Sequence, residues 1–435
     1  MTRQAVMEAV EKLNYRVTVG DVATQSGLSL ATASNELMRL ATDSGGHLQV
    51  AESGDIAYVF ARNFRNILLN RSFKLQLQVW LKSIWKWVFY LIRISFGIVL
   101  IISIAIVVLG IIAALLALQS SSSDDNRGGS SRDRSDNRGG GGLIFMPDLW
   151  WGNPFSVFDP SYDERRRSER LASEPEQMGF LESIFSFLFG DGDPNADLEE
   201  RRWRAIAQVI RQNGGVVAAE QITPYLDDIG STSEGYEDYI LPVLMKFNGQ
   251  PQVSEQGAIV YSFAELQTVG AERKQRSVAN HLEEKLWQFS QAGAGRVTLS
   301  AGLGIFYLVA SLWLGSLLSA PALAGKLSGF LGFVSGAYWF LLGYAVLFLT
   351  VPLVRYFVLQ IFNAKVASKN QQRISRAQSL QKPNTTLKQK LGFARQLATG
   401  QKVISADDLA YSTETDLTDQ EYAKMLKEMD AEREN

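Results

Sequence analysis

Residues 49–60 read QVAESGDIAYVF and residues 252–263 read QVSEQGAIVYSF. Shifted by 203 positions, seven of the twelve residues coincide: Gln, Val, Glu, Gly, Ile, Tyr and Phe. The alternation around a Ser-Gly or Gln-Gly turn is a hairpin signal in each copy. The same shift sets Arg93 on Arg296, and an uncharged run begins directly after each. The repeating unit is therefore a small soluble module, a connecting stretch and a membrane helix.

Working back from the first hairpin, TVGDVATQSGLSLATASNELMRLA reads as helix, turn, helix, with Gly27 as the break and Ser29 as N-cap of the second helix. Val6, Ala9, Val10 and Leu13 have helical spacing ahead of it. Helix–turn–helix followed by a hairpin predicts a winged helix over residues 1–62. The second copy is expected over 199–266: LEERRWRAIAQVIRQNGG as the first helix, AAEQITPYL and YEDYILPVLMKF as the helix pair, then the hairpin. The fold class expected is a mainly α membrane protein, with two winged-helix-like (α plus β-hairpin) modules and transmembrane helices.

The spans follow from hydropathy. Residues 94–118 are 25 uncharged, mostly apolar residues, long enough to cross a hydrocarbon core of about 30 Å. Ahead of them, a basic amphipathic helix over 63–93 carries Trp80, Trp85 and Trp87 interleaved with Lys82 and Lys86, a mixture suited to the headgroup interface. A helical hairpin is expected over 297–354, and a connecting helix over 267–296 leads into it. On its last helix Gly329, Gly332, Gly336 and Gly343 share one face, which predicts close packing against another helix. Residues 119–142 read as a disordered linker and 143–198 as an aromatic and charged connector. Residues 355–435 read as a basic, then acidic, cytoplasmic tail.

Charge is segregated. There are seven bases and no acid from Arg62 to Arg93, and ten bases and no acid from Arg355 to Lys402. Such blocks beside apolar runs suit an anionic lipid surface, or simple retention on the cytoplasmic side. Both flanks on one side require an even number of crossings, whereas three spans are legible. The modules themselves are acidic: residues 1–61 hold four bases against seven acids, and 199–264 five against nine. The second helix of the first pair offers only Arg39. Winged helices that bind DNA need positive charge to offset phosphate, so DNA is an unlikely partner and a protein contact fits better.

Several chemistries are excluded outright. The chain has no Cys and two His, which removes disulfides, thiolate or histidine-rich metal sites and cysteine-held clusters. DGDPNAD at 191–197 starts like a calcium loop, but Ala196 stands where glycine is needed and Arg202 where glutamate is needed. Its structural reading is that Asp193 caps a helix begun by Pro194. No phosphate loop or nucleophile elbow is present, and the spans carry no acid, which disfavours coupled transport. No cofactor and no catalytic residue are expected.

The stretch SIFSFLFGDGDPNADLEERRWRAIAQVIRQNGGVVAAEQITPYL, and FGDGDPN most specifically, resembles an uncharacterised membrane protein family shared by cyanobacteria and plant chloroplasts. Plant members carry the label "iron-sulfur cluster biosynthesis family protein". The resemblance implies a cyanobacterial source and a plasma or thylakoid membrane address. The label's activity does not carry over, because no cysteine is present to hold a cluster. The expectation is a non-enzymatic membrane scaffold, assembly or regulatory factor that presents paired modules to an unknown protein partner, with homo-oligomerisation open. The alternatives are a membrane-tethered DNA-binding regulator and a transporter or channel accessory subunit.

Overall fold

The structure is a computed structural model describing residues 2–71, 73–121, 178–227, 229, 237–272, 277–323, 325, 327–398, 400–405, 409–414 and 425. Residues 122–142 of the expected linker and the aromatic stretch 143–160 lie outside these residues. Helices dominate, and the chain divides into two compact units: residues 1–85, 192–287 and 360–435 form one, 86–191 and 288–359 the other.

The first unit opens with α1 (Thr2–Lys12), β1 (Arg16–Thr18), α2 (Val19–Ser26), α3 (Leu30–Ser44) and the hairpin β2 (His47–Ala51) and β3 (Ile56–Val59). The local signals act as anticipated. Ser29 accepts from the Thr32 amide at the start of α3, and Gly27 and Gly45 end α2 and α3 in the left-handed region. Helix α4 (Phe64–Arg71) then adds Phe64 and Leu68 to the core.

Later in the chain, the same unit holds α7 (Leu198–Gln212), β4 (Val216–Val217), two 3-10 turns (Ala219–Gln221 and Thr223–Tyr225) and a third (Asp238–Ile240) running into α8 (Leu241–Phe247). The hairpin β5 (Gln250–Val253) and β6 (Ile259–Ser262) follows, then α9 (Ala264–Gln267) and β7 (Thr268–Val269). The helix expected over AAEQITPYL is these two 3-10 turns, since Pro224 removes an amide donor from it.

Between β7 and the next long helix, residues 277–293 are not helical, contrary to the expected connecting helix. They form an extended strap held by asparagines of α11 (Gly329–Gln381). Asn363 accepts from the Trp287 amide at 2.7 Å and donates to its carbonyl at 2.9 Å. Asn370 does the same for Glu284, at 3.0 and 2.8 Å. The seven-residue spacing puts both amides on one helix face, where they satisfy the strap's backbone and leave it no need of a helix of its own.

The basic stretch from 355 onward is not a tail. Helix α11 runs through it to Gln381, and α12 (Thr385–Leu397), β8 (Lys402–Val403) and β9 (Leu409–Ser412) follow. Strand β8 pairs in parallel with β7, and β9 pairs antiparallel with β2.

The second unit contains α6 (Phe180–Phe189), α10 (Ala294–Leu318) and parts of α5 (Phe73–Ser121) and α11. Among the described residues three helices are long and apolar enough to cross a membrane: Ser83–Gln119 within α5, α10 and α11. The basic helix and the first span are one continuous helix with no break at Arg93, since no Gly or Pro interrupts the register there. Leu100, Val107, Ile184, Tyr307, Leu314, Val334 and Phe348 form the unit's core.

The expected glycine face is not where helices meet. A Cβ built at Gly336 or Gly343 finds nothing within 4 Å, Gly329 is likewise open, and Gly332 meets only the carbonyl of Leu327. Close approach instead uses Gly304, whose Cβ would lie 2.7 Å from the Phe348 ring, and Gly315, which faces the Tyr338 ring. Gly97 packs against the backbone of Leu181 in α6, 3.0 Å from a built Cβ. Leucine at Gly304 should therefore destabilise the protein by about 1–3 kcal/mol through overpacking, whereas Gly336→Leu should leave it unchanged. Melting of both variants in detergent checks this, and equal losses would overturn the assignment.

Candidate functional site

The feature with the most built chemistry is the junction of residues 1–71 with residues 198–270. They share one buried core: Val6, Val10, Leu37 and Phe60 belong to the same cluster as Ile206, Ile210, Phe247 and Phe263. At the junction Thr18 and Asp21 form a capping box on α2, each accepting from the other's amide at 3.1 Å. This ordinary cap has a second use. The Asp21 side chain, 0% exposed, also takes the Gly270 amide at 2.8 Å and the Arg211 guanidinium at 2.9 Å. Arg211 Nε donates to the Leu266 carbonyl and Thr18 Oγ1 to the Thr268 carbonyl, both at 3.0 Å. Two glycines let the backbones meet. A side chain at Gly20 would strike the Glu265 carbonyl, and Gly27 lies against Glu200 and Trp203.

The two segments repeat one pattern of bonds. Strand order is β1-β3-β2 in one sheet and β4-β6-β5 in the other, with β9 added beside β2 only. Tyr58 is paired with Val17 and Leu48, and Tyr261 with Val217 and Pro251. The Phe60 amide donates to the Tyr15 carbonyl at 2.9 Å and the Phe263 amide to the Gly215 carbonyl at 2.8 Å. Gly54 and Gly257 turn the hairpins with φ of 85° and 80°. Thr18 and Asp21 correspond to Ala218 and Gln221, whose side chain likewise accepts the Ala218 amide, at 2.9 Å.

Helices α3 and α8, which follow the turn in each segment, touch one another. Their outer faces are not basic. Arg39 sits 3.7 Å from Glu36, and Lys246 is stacked 4.2 Å over the Trp203 ring. Burial lowers the Lys246 pKa, with Glu199 acting in the opposite sense. Exposed apolar side chains are Leu241 and Met245 on α8 and Met38 on α3, the last among the exposed polar residues Asn35, Arg39, Thr42 and Asp43.

Two ionic clusters tie the basic stretch to the acids of residues 220–284. Arg373, 1% exposed, is paired with Asp227 and with Glu284 at 2.5 Å, and donates to the Leu282 carbonyl at 3.1 Å. Arg202 takes the other Asp227 oxygen at 2.5 Å. Burial alone would raise the Asp227 pKa, but the Arg373 hydrogen bond and the two guanidinium charges outweigh it and hold the carboxyl below its ordinary 3.8. Lys390 joins Glu220, at 2.7 Å, to Glu237, which also accepts from Tyr261. Burial disfavours the Lys390 charge, but the two carboxylates prevail and raise its pKa above 10.5. Of the five bases between 373 and 390, Arg373, Arg376 and Lys390 thus make contacts inside the fold, while Lys382 and Lys388 are exposed.

The FGDGDPN turn serves each unit separately. In the second unit Asp191 pairs with Arg93 at 2.6 Å and accepts from Ser186 Oγ at 2.5 Å and the Gln291 amide at 2.8 Å. Gly190, at φ 81°, lies under the Arg355 guanidinium, which leaves no room for a side chain. In the first unit Asn195 bridges to Lys285, accepting its amide at 2.9 Å and donating to its carbonyl at 2.8 Å. Asp193 accepts the Asn195 amide in a local turn, and the helix begins only at Leu198, so Asp193 is not its cap. Of the expected interfacial residues, Trp80, Trp85, Trp87 and Lys86 lie exposed on α5; the Lys82 side chain is outside the described residues.

Among the described residues no group of His, Asp or Glu is placed to hold a metal. A polar cavity of about 600 Å³ in the first unit is lined by Gln212, Asn213, Gln221, Tyr225, Gln381 and Arg395, among others. The Tyr225 hydroxyl donates to the Ala279 carbonyl at 2.6 Å, and burial pushes its pKa up to about 12. The cavity lining holds no acid to pair with a base, and none of these side chains is an activated nucleophile.

The chain is 40% identical over 433 residues to a chloroplastic protein of Arabidopsis thaliana, uncharacterized protein At5g03900, the match covering 97% of this chain and 80% of the plant protein. The chain belongs to the family of that plant protein. No family model matches it, and no solved structure matches it.

Two predictions follow from the ionic contacts. Asp21→Ala leaves Arg211 buried without its partner and strips two amides of their acceptor. It should cost about 3–5 kcal/mol, read as a lowered midpoint in urea; a loss under 1 kcal/mol would reduce Asp21 to a simple helix cap. The pH dependence has two edges. Asp227, with a depressed pKa, stabilises above its unfolded value near 3.8, and that contribution is lost as pH falls through the folded value. Lys390, with a raised pKa, stabilises below 10.5, and that contribution is lost as pH rises through the folded value. Melting temperature should be flat between these limits and fall on both sides. Asp227→Asn should flatten the acid edge and Lys390→Gln the alkaline one.

Proposed function

We propose that this chain is an integral membrane scaffold, assembly or regulatory factor, non-enzymatic, that presents a fused pair of winged-helix-like modules to a protein partner. The observation that carries the reading is the outer face of α3 and α8. A winged helix that read DNA would offer several bases there; this pair offers Arg39, exposed and 3.7 Å from Glu36, and Lys246, stacked on Trp203, together with exposed Met38, Leu241 and Met245. Flexible, polarisable methionines on an exposed helix suit contact with another protein. The contact of α3 with α8 also weighs against either entering a major groove, which admits one helix.

The duplication and the winged-helix identity of the modules belong to this reading. Their support is the shared strand order, the matched partners of Tyr58 and Tyr261, and the matched bonds in which Asp21 accepts the Thr18 amide and Gln221 the Ala218 amide. That both modules share one core supports placing them on one side of the bilayer. A plasma or thylakoid membrane of a cyanobacterium is the proposed address, consistent with a chloroplastic relative.

The test uses the full chain in native membranes, with a photo-crosslinking residue at Met245, at Leu241, or at Gly54 as control. A discrete protein adduct from the first two positions and none from the third is expected. The purified chain should show no salt-sensitive binding to duplex DNA. Adducts absent from both helix positions, or submicromolar DNA binding that weakens with salt, would overturn the reading.

A further inference from the structure

The two sheets differ at one edge, and the difference is chemical. In the first module the outer backbone groups of β2 belong to Leu48 and Val50. The Leu48 amide donates to Thr413 Oγ1 at 2.8 Å, and its carbonyl accepts from the Thr413 amide at 3.0 Å. Val50 stands opposite Tyr411. In the second module the equivalent strand β5 is exposed along its whole length, and no strand among the described residues pairs with its side away from β6. The residue in Leu48's place there is Pro251, paired with Tyr261 as Leu48 is with Tyr58. Proline has no amide to give at that position, and proline is a common way to blunt a sheet edge against a further strand. One edge is thus built to accept a strand and the other to refuse it.

The strand that occupies the accepting edge is lightly held. Strand β9 is four residues long, with Ala410 and Tyr411 exposed, and it gives the core only the half-buried Leu409, against Ala51, Ala57 and Ile404. Ile404 itself is fixed independently, through its amide to the Val269 carbonyl at 3.0 Å. Removing β9 therefore leaves β8 and the core in place.

We propose that the β2 edge is a strand-docking site for an extended segment of a partner protein, and that β9 is a built-in occupant which the partner segment displaces. The partner's strand would run antiparallel to β2. It would meet the backbone of Leu48 and Val50, with an aliphatic side chain in the place of Leu409 and a hydroxyl in the place of Thr413. Main-chain pairing supplies affinity in such strand addition, and these two pockets supply selectivity. This rests on the scaffold reading and names where and how its partner is held.

The absence of native cysteine makes the test direct. Gln49 and Ser412 face each other in a pair that exchanges no backbone bonds, where Cα atoms lie about 4.5 Å apart. In the full chain carrying Gln49→Cys and Ser412→Cys, oxidation should lock β9 onto β2, and reduction should free it. The probe is a fluorescent peptide, DDLAYSTET, the sequence of residues 407–415. The reduced protein is expected to bind it at least tenfold more tightly than the oxidised one. Thr413→Val, which weakens the internal strand alone, should raise peptide binding. Leu48→Pro, which copies the second module, should abolish it, with melting measured to confirm the fold. Equal binding by the oxidised and reduced forms, or binding indifferent to Leu48→Pro, would overturn the proposal. So would a disulfide-linked dimer, which would put a second copy's strand on the edge. Crosslinking from Met245 is read separately, so a failed peptide assay leaves the scaffold reading standing.

Discussion

A carboxylate removed from water must be met by donors, and Asp21 draws its donors from both halves of the soluble unit. The Thr18 amide comes from its own helix, the Gly270 amide and the Arg211 guanidinium from the second segment. An unpaired charge in this place would be costly, so neither half is complete without the other. Gly20 and Gly27 are consequences of the same constraint, since the donors reach Asp21 only if the backbones come close. The modules are therefore one folding unit rather than two beads on a string. A fragment holding only the first would leave Asp21 and half of a shared core exposed.

Much of this architecture was legible in the residues, for particular reasons. The repeated hairpin phrase carried its own check, because turn glycines and alternating apolar positions had to recur together. The helix caps at Ser29 and Gly27 and the apolar runs of the spans are local signals that tertiary context did not override. What escaped was long-range. Nothing in the neighbourhood of residues 277–293 says that their backbone bonds will go to Asn363 and Asn370, more than seventy residues away. Two asparagines seven apart on a helix were the available clue.

The basic stretch was legible as charge but not as contact. Counting Lys and Arg suggests a surface facing lipid, but position decides. Arg373 falls beside Asp227 and Glu284, and Lys390 beside Glu220 and Glu237, so each sign explains the other. The glycine face failed for a related reason. Periodicity places Gly336 and Gly343 on one side of a helix without saying what lies there, and the close contacts fell to Gly304 and Gly315 instead. At the junction, Asp21 completes a capping box with Thr18; its second role, as acceptor for Arg211, had no local signature.

Beside the contact of the equivalent helices α3 and α8, the module junction is lopsided: the first module offers its second helix, α2, and the second offers its first, α7. Contacts between unlike faces do not close on themselves, and a single-module ancestor associating this way would have grown into an open-ended polymer. On the proposed duplication, both growing ends are terminated. The face of the second module equivalent to α2 is covered: Arg376 donates to the carbonyls of Thr223 and Leu226, and Lys390 pairs with Glu220. The first module's equivalent of α7 is α1, whose outer side is made polar by Arg3, Gln4, Glu8 and Glu11, all engaged within the module: Arg3 with Asp43, Gln4 with Glu8 and Glu11 with Arg65. Covalent fusion limits such a stack to two members, as capping repeats limit a solenoid.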